Sequence, residues 1–220
     1  MAAISHDNGW MIWEQRPELD TQNRPVDFLD MAVSTHLDLW RQGVERLARQ
    51  SLYGALLVSM HGRALVEGRL NSDRQDSETD RSLLAAFSAE QRTWEAAVTA
   101  RLRGYPHYVA GCEAATLAAN LRLLQVFDWF SLLCCMRALA PANVGDIPGQ
   151  SVEQRVTVEM IPLGPQSLTM QPWPFKVPEF AVTVQAHKLP QPTFATVADF
   201  QTAWQETAPQ PMIFQLRHER

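Results

Sequence analysis

The adjacent pair His6-Asp7, opening the stretch His6-Asp7-Asn8-Gly9-Trp10, offers an imidazole nitrogen and a carboxylate oxygen from neighbouring residues. Three more residues of the same chemistry stand where an apolar chain would prefer leucine. His36 opens a helical pattern in which Trp40, Val44 and Leu47 share its face, His61 ends the run Leu56-Leu57-Val58-Ser59-Met60, and Asp128 lies on one stripe with Leu117, Leu121, Leu124 and Leu132. Burying a carboxylate is costly unless a cation or strong donors compensate, and a bound metal would do so. His6, Asp7, His36, His61 and Asp128 therefore read as a candidate ligand set for one or two divalent transition metals, Fe, Mn, Co, Ni or Zn. Singly each carries little weight. A lone histidine on an apolar face is more often a satisfied core residue, and Asp128 could pair with Arg122 or cap a helix. The set is stronger than its members, because His107, His187 and His218 fall in loop, strand and tail contexts while the other three adjoin core-forming segments.

The elements that must position these residues change character once along the chain. Up to about Ala140 the apolar spacing is helical, with Leu37, Trp40, Val44 and Leu47 on one face, Leu83, Leu84, Phe87, Gln91 and Trp94 on another, and a long, deeply buried helix over 113–139. Residues 13–30 read as a loop with short turns, and 68–80 as a solvated connection. After Pro141 the period becomes two: Val156, Val158 and Met160 alternate with polar residues, as do Phe180, Val182, Val184 and Ala186. Short strands also fit 167–171 and 212–216, while Thr196-Val197-Ala198-Asp199 reads as a capping box opening a helix with Phe200 and Trp204. The expected class is α+β: a helical bundle over 1–141, then a small antiparallel β-sheet with one helix over 142–220, packed on the bundle. Trp173-Pro174-Phe175 is expected to pack between the two.

Composition narrows the function. With 220 residues, 46% hydrophobic, 20% charged and a net charge of −5, the chain can bury a full core. Mild acidity and the lack of a basic stripe argue against nucleic-acid or anionic-membrane partners and leave a small-molecule substrate. Cys112 and the adjacent Cys134-Cys135 form no CxxC pair and read as reduced core thiols. No signal peptide opens the chain and no later run is expected to approach membrane-spanning length, so the expected localisation is cytoplasmic. Oligomeric state is left open.

The order of ligands, a His-Asp pair, two later histidines on separate helices and a final aspartate on a long helix, is similar to that of the HD-domain superfamily of metal-dependent phosphohydrolases. More closely, His6-Asp7-Asn8-Gly9-Trp10, Pro25-Val26-Asp27-Phe28-Leu29-Asp30-Met31, Leu56-Leu57-Val58-Ser59-Met60-His61-Gly62, Leu124-Gln125-Val126-Phe127-Asp128 and Pro172-Trp173-Pro174-Phe175 resemble a bacterial family known only as a domain of unknown function. That resemblance spans almost the whole chain and implies no activity. The HD resemblance implies an HD-like bundle in which Asp7 bridges two metals, with His6 and Asp128 on one and His36 and His61 on the other. HD proteins carry a further histidine upstream of the pair, and this chain has none before His6. Either one metal is bound, or an upstream helix belongs with Ala2-Ala3-Ile4, which reads as the last turn of a buried helix.

Three functions compete on this reading: a metal-dependent phosphohydrolase acting on a small phosphorylated molecule, a non-haem di-iron oxygenase, and a non-enzymatic binding or sensor module. In the first, Asp7 is a catalytic carboxylate, Arg16 (or Arg24) positions an anionic substrate, and Glu14, with Asp30, is a candidate for proton transfer or for orienting the histidines. Trp10, Trp13 and Trp40 could wall a pocket, although large aromatics are more often core.

Overall fold

The structure is a computed structural model that describes residues 6–136, 139–151 and 153–219; the Ala2-Ala3-Ile4 segment lies outside the described residues. The chain divides into two compact units, one running to Leu117 and completed by Gln191–Ala203, the other formed by Ala118–Pro190 and Trp204–Arg220.

The first unit is helical. After the short α1 (Trp10–Trp13) come α2 (Val33–Ala48), α3 (Leu52–Leu70) and α4 (Glu78–Arg103), then 3-10 turns at Pro106–Tyr108 and Ala110–Cys112. Local chemistry sets the starts. Ser51 Oγ accepts the Gly54 N–H at 3.0 Å to open α3, and Ser77 Oγ accepts the Asp80 N–H at 3.0 Å to open α4. Glu78 and Asp80 in the first turn of α4 and Arg101 and Arg103 in its last complement the helix dipole. In α3 the consecutive residues Ala55, Leu56, Leu57, Val58 and Ser59 are all buried, so this helix is covered on opposite sides, by α2 and by α4. Val33, Leu37, Val66, Leu84 and Phe87 form the core shared by the three; burying Phe87 alone contributes about 2 kcal/mol. In the loop before α2, Asp20 Oδ1 accepts the N–H groups of Gln22 and Arg24, both at 2.8 Å, and turns the chain through Asn23 at φ 61°. The segment from 191 belongs here because Phe194 N–H donates to the Asn23 carbonyl at 2.9 Å and Gln201 Nε2 to that of Pro17 at 3.1 Å.

The second unit holds most of α5 (Ala114–Cys135) and the strands β1 (Ala142–Pro148), β2 (Arg155–Gly164), β3 (Ser167–Gln171), β4 (Glu179–Ala186) and β5 (Gln210–Arg217). Between β4 and β5 runs α6 (Val197–Glu206), opened as expected by Thr196 Oγ1 accepting the Asp199 N–H at 3.1 Å. Its residues to Ala203 fall with the first unit. Met160, Leu168 and Leu216 on one sheet face meet Trp129, Phe130 and Leu133 of α5. Trp173 and Phe175 join that same core.

The expected HD-like bundle followed by a small antiparallel sheet with one helix needs correction. The chain is α+β, but the sheet is five-stranded, curled and mixed, in the order β1-β2-β3-β5-β4. The chain skips a place after β3, lays down β4, and returns through α6 to insert β5 in the gap. β5 is antiparallel to β4 and parallel to β3, where Ser167 and Leu168 pair with Gln215 and Leu216. Period-two alternation records which face a residue takes and is silent on which strand lies beside it. Three smaller expectations also change. The helix expected over 113–139 ends at Cys135 and is long and apolar enough to cross a membrane by length and composition, with only 22% of its most apolar window buried. Cys135 is exposed, whereas Cys112 and Cys134 are buried. β1 was not expected at all.

Candidate metal centre

Four of the five candidate ligands fall in the first unit. His6 and Asp7 precede α1, His36 stands in the first turn of α2, and His61 at the middle of α3 is only 1% exposed. Asp128 belongs to the second unit, on α5, where it is half-buried. Arg122, considered as its partner, donates to the carbonyls of Gly145 at 2.6 Å and Asp146 at 3.3 Å.

Missing side chains bring the first four together. A Cβ on Gly9 would meet the Leu39 carbonyl oxygen at 2.2 Å, and one on Gly43 would meet the Gly9 nitrogen at 3.0 Å. The turn carrying His6 and Asp7 therefore lies directly on the α2 backbone, along the stripe His36, Leu39, Trp40, Gly43. A Cβ on Gly62 would meet Trp40 Cε3 at 2.7 Å, so the indole of α2 lies flat on the α3 backbone next to His61. Glycine is required at Gly9 and Gly62 by this close approach rather than by any unusual φ.

The resulting cluster is a run of rings in the order His6, His61, Trp40, His36, Trp10. His6 and His61 stand edge to face with centroids 6.1 Å apart, Trp40 is 5.7 Å from His61 and 6.4 Å from His36, and Trp10 is 5.9 Å from His36. Two imidazoles on one tetrahedral ion, each with a metal–nitrogen bond of about 2.1 Å, would have centroids about 5 Å apart. The His6–His61 pair is within about 1 Å of that arrangement. His6 Nε2 lies 3.0 Å from Asp7 Oδ2, and His6, Asp7, Trp10, His36 and Trp40 line a cavity of about 10 Å³, the scale of one water or one ion. Burial, with the field of Arg69 adding to it and that of Asp7 opposing, holds the His36 pKa below its ordinary value. The neutral ring that results is the form that binds metals. The donor types and the size of the cavity suit a transition-metal ion, and His6 and Asp7 are the two of these four whose donor atoms already meet.

The remaining candidates are peripheral. Glu14 and Arg16 are exposed in the turn after α1. Arg24 is engaged by Asp20 at 2.7 Å and reaches Asp30 at 3.7 Å. Trp13 is half-buried and does not line the cavity. Sequence reasoning missed Arg69, the cation whose field His36 feels, held by Asp76 with Nε–Oδ2 at 2.9 Å. Its spacing of seven residues after Gly62, on the same helical face, was the available signal. It also missed the three glycines.

No curated protein and no solved structure matches the chain. A family model described as a protein of unknown function (DUF3891) matches residues 1–191 and so takes in every candidate ligand; the chain belongs to that family.

Proposed function

We propose that His6, Asp7, His36 and His61 hold a divalent transition metal, and that the protein is a metal-dependent phosphohydrolase of the HD kind acting on a small phosphorylated molecule. The observation that carries this reading is the ion-sized cavity lined by His6, Asp7 and His36, with the His61 ring 6.1 Å from that of His6. A metal bound there would lower the pKa of a bound water to about 7 and polarise a phosphoryl oxygen. The chain's own residues have separate tasks. Asp7, 3.0 Å from His6 Nε2, fixes the orientation of that ring. Trp10 and Trp40 exclude bulk water from the histidines. Arg69, paired with Asp76, helps to keep His36 neutral, and Arg16 and Glu14 stand on an exposed turn where they can meet substrate and exchange protons.

The test is metal analysis of untagged protein reconstituted with Fe, Mn, Co or Zn, followed by phosphate release from a panel of phosphomonoesters, phosphodiesters and nucleotides. At least one ion per chain is expected, with metal-dependent release from one substrate class, both lost in His61→Ala and His36→Gln. Less than a tenth of an ion per chain overturns the centre. Stoichiometric metal without phosphate release from any member overturns the hydrolase, and oxygen consumption by the ferrous protein would replace it with an oxygenase.

A further inference from the structure

The face of α3 opposite His61 carries a different construction, independent of the metal centre. Leu56, Met60 and Arg63 of α3 stand across from Arg92, Ala96, Thr99 and Arg103 of α4, at spacings that put each set on one helical stripe. Because Ala96, Thr99 and Ala100 are short, a groove of about 460 Å³ opens between the two helices, within the range of small-ligand sites. Its floor is apolar: Leu56 is fully buried and Leu117 nearly so.

The charges around it are arranged unevenly. Arg63 Nε donates to both Glu95 oxygens at 3.1 and 2.9 Å and its Nη1 to Glu67 at 3.0 Å, while Arg92 Nη2 donates to the same Glu67 Oε1 at 2.8 Å. Two guanidinium groups are thereby matched by two carboxylates. Ser59 Oγ, 2.9 Å from Glu95 Oε1 and 2.8 Å from Gln91 Oε1, extends this network into the core between α3 and α4. Buried ionic networks are seldom more stabilising than well-packed apolar side chains of the same volume. Arg103 differs: its Nη2 donates to the neutral Cys112 carbonyl at 2.9 Å, and among the described residues no carboxylate pairs with it, the partial charge of the α4 C-terminus being its one negative neighbour of note. Thr99, one turn earlier on the same stripe, also lines the groove. The groove thus has an apolar trough, a balanced ionic end at Arg63 and Arg92, and one excess positive charge about 16 Å further along α4, at Arg103.

We propose that this groove binds a small, soluble amphipathic anion, with its apolar body along Met60, Ala96 and Ala100 and its carboxylate or phosphate head on Arg103 and Thr99. Charge complementarity selects a single head group. The open side of the groove lets the head keep part of its hydration, and a ligand with two strongly charged ends would meet Glu95 at the other end.

The intact chain is titrated with decanoate, decyl phosphate, decanol and inorganic phosphate, each below its aggregation concentration, by calorimetry and by amide chemical shifts. Saturable one-to-one binding of decanoate, decyl phosphate or both is expected, with shifts along 96–103 and at least tenfold weaker binding of decanol and of phosphate alone. Arg103→Gln should weaken the anion at least tenfold, and Ala100→Trp, at an exposed helix position that tolerates change, should abolish binding while the melting temperature stays near that of the native chain. Thr99→Val, a milder change, should weaken it severalfold. Equal affinity for decanol, retention of affinity in Arg103→Gln, or unchanged binding in a folded Ala100→Trp overturns the proposal. So does binding to anionic phospholipid vesicles without binding of the soluble probes, which would make the face a membrane contact. Chelating all metal should leave these affinities unchanged, so failure of the metal centre and failure of the groove read out separately.

Discussion

Replacing Gly9 by alanine tests the close approach on which the candidate centre depends. The added Cβ would stand 2.2 Å from the Leu39 carbonyl oxygen and 2.8 Å from its carbon, and real contacts of this kind almost never fall below 3.0 Å. The turn and the helix must therefore separate by at least about 0.8 Å, the difference between the two oxygen distances. Neither partner can yield cheaply, because the obstructing atoms are the backbone of a helix rather than the end of a flexible side chain. Overpacking of this sort costs about 1–3 kcal/mol of stability. His6 and Asp7 ride on the displaced turn, and a shift approaching 1 Å at a ligand pair should lower metal affinity about 10–100-fold. Gly68→Ala is the control: nothing lies within 4 Å of its Cβ, it sits in the last turns of α3, and alanine there should raise stability by about 0.5–1 kcal/mol without touching the metal. Gly43→Ala, meeting the Gly9 nitrogen at 3.0 Å, should fall between them. Affinity is read by competition against a chromophoric chelator and stability by urea unfolding with chelator present. If Gly9→Ala binds metal as the native chain does and unfolds no more easily than Gly68→Ala, the turn does not lie on α2 and the geometric argument fails.

Three further outcomes are expected. In metal-free protein the His36 ring should titrate below its ordinary 6.5, because burial and then Arg69 disfavour the imidazolium; Arg69→Met should raise the midpoint, and an NMR midpoint at or above 6.5 would contradict the described burial. The unfolded chain takes that proton first, so this group lowers stability as pH falls below 6.5. Burial works against the Glu67 carboxylate, yet hydrogen bonds from Ser88, Arg63 and Arg92 overcome it and hold the pKa at about 2 against an ordinary 4.5, so the stability it lends is present above pH 4.5 and lost as pH drops toward 2. That contribution, about 2 kcal/mol after allowing for partial exposure, should vanish from the acid limb of urea-midpoint profiles in Glu67→Gln, and an unaltered limb would refute it. In the sheet, Phe214 is fully buried against Cys134 and Met212, and Phe214→Ala should cost about 3–5 kcal/mol in calorimetric unfolding; a loss below 1 kcal/mol would mean that this core is not packed as described.

The strands that could be read from sequence are those in which one face is apolar without interruption. Val156, Val158 and Met160, and then Phe180, Val182 and Val184, keep strict alternation, and β2 and β4 contain them. β1 is hidden because Gly145, Asp146 and Pro148 punctuate it and its register slips between Val144 and Ile147, with Asp146 at φ 57°. A bulge displaces a residue from the alternating pattern, so the same feature that shapes the strand removes its signature. Strand order is lost for another reason: insertion of β5 between β3 and β4 depends on where the chain re-enters the sheet after α6, and no local period carries that. In α5 the reverse error arises. An apolar composition suggests a helix deeply buried all round, whereas Phe127 is 45% exposed and Met136, just past its end, 57%.

At the candidate centre, the donors were legible and their meeting was not. His6 and His61 announce themselves by type, since imidazoles are uncommon among core residues, whereas Asp7 is exposed and His36 half-buried and both are legible only by their pairing or place on a helical stripe. Nothing in their own spacing says which helix faces which. That information sits in residues with no side chain. Gly43 lies seven residues after His36 and three after Trp40, on one stripe, which marks α2 as having a face that another backbone can reach, and Gly9 supplies the matching gap in the N-terminal turn. Gly62, next to His61, does the same on α3 for the Trp40 indole. Each glycine stands within three residues of a donor or of the tryptophan between donors, although an isolated glycine in a helix costs about 1 kcal/mol relative to alanine. On α3 the glycine stands beside a donor and on α2 three residues from the tryptophan whose ring lies between two imidazoles, so each cost is incurred where two elements approach, and no period of apolar residues records that approach.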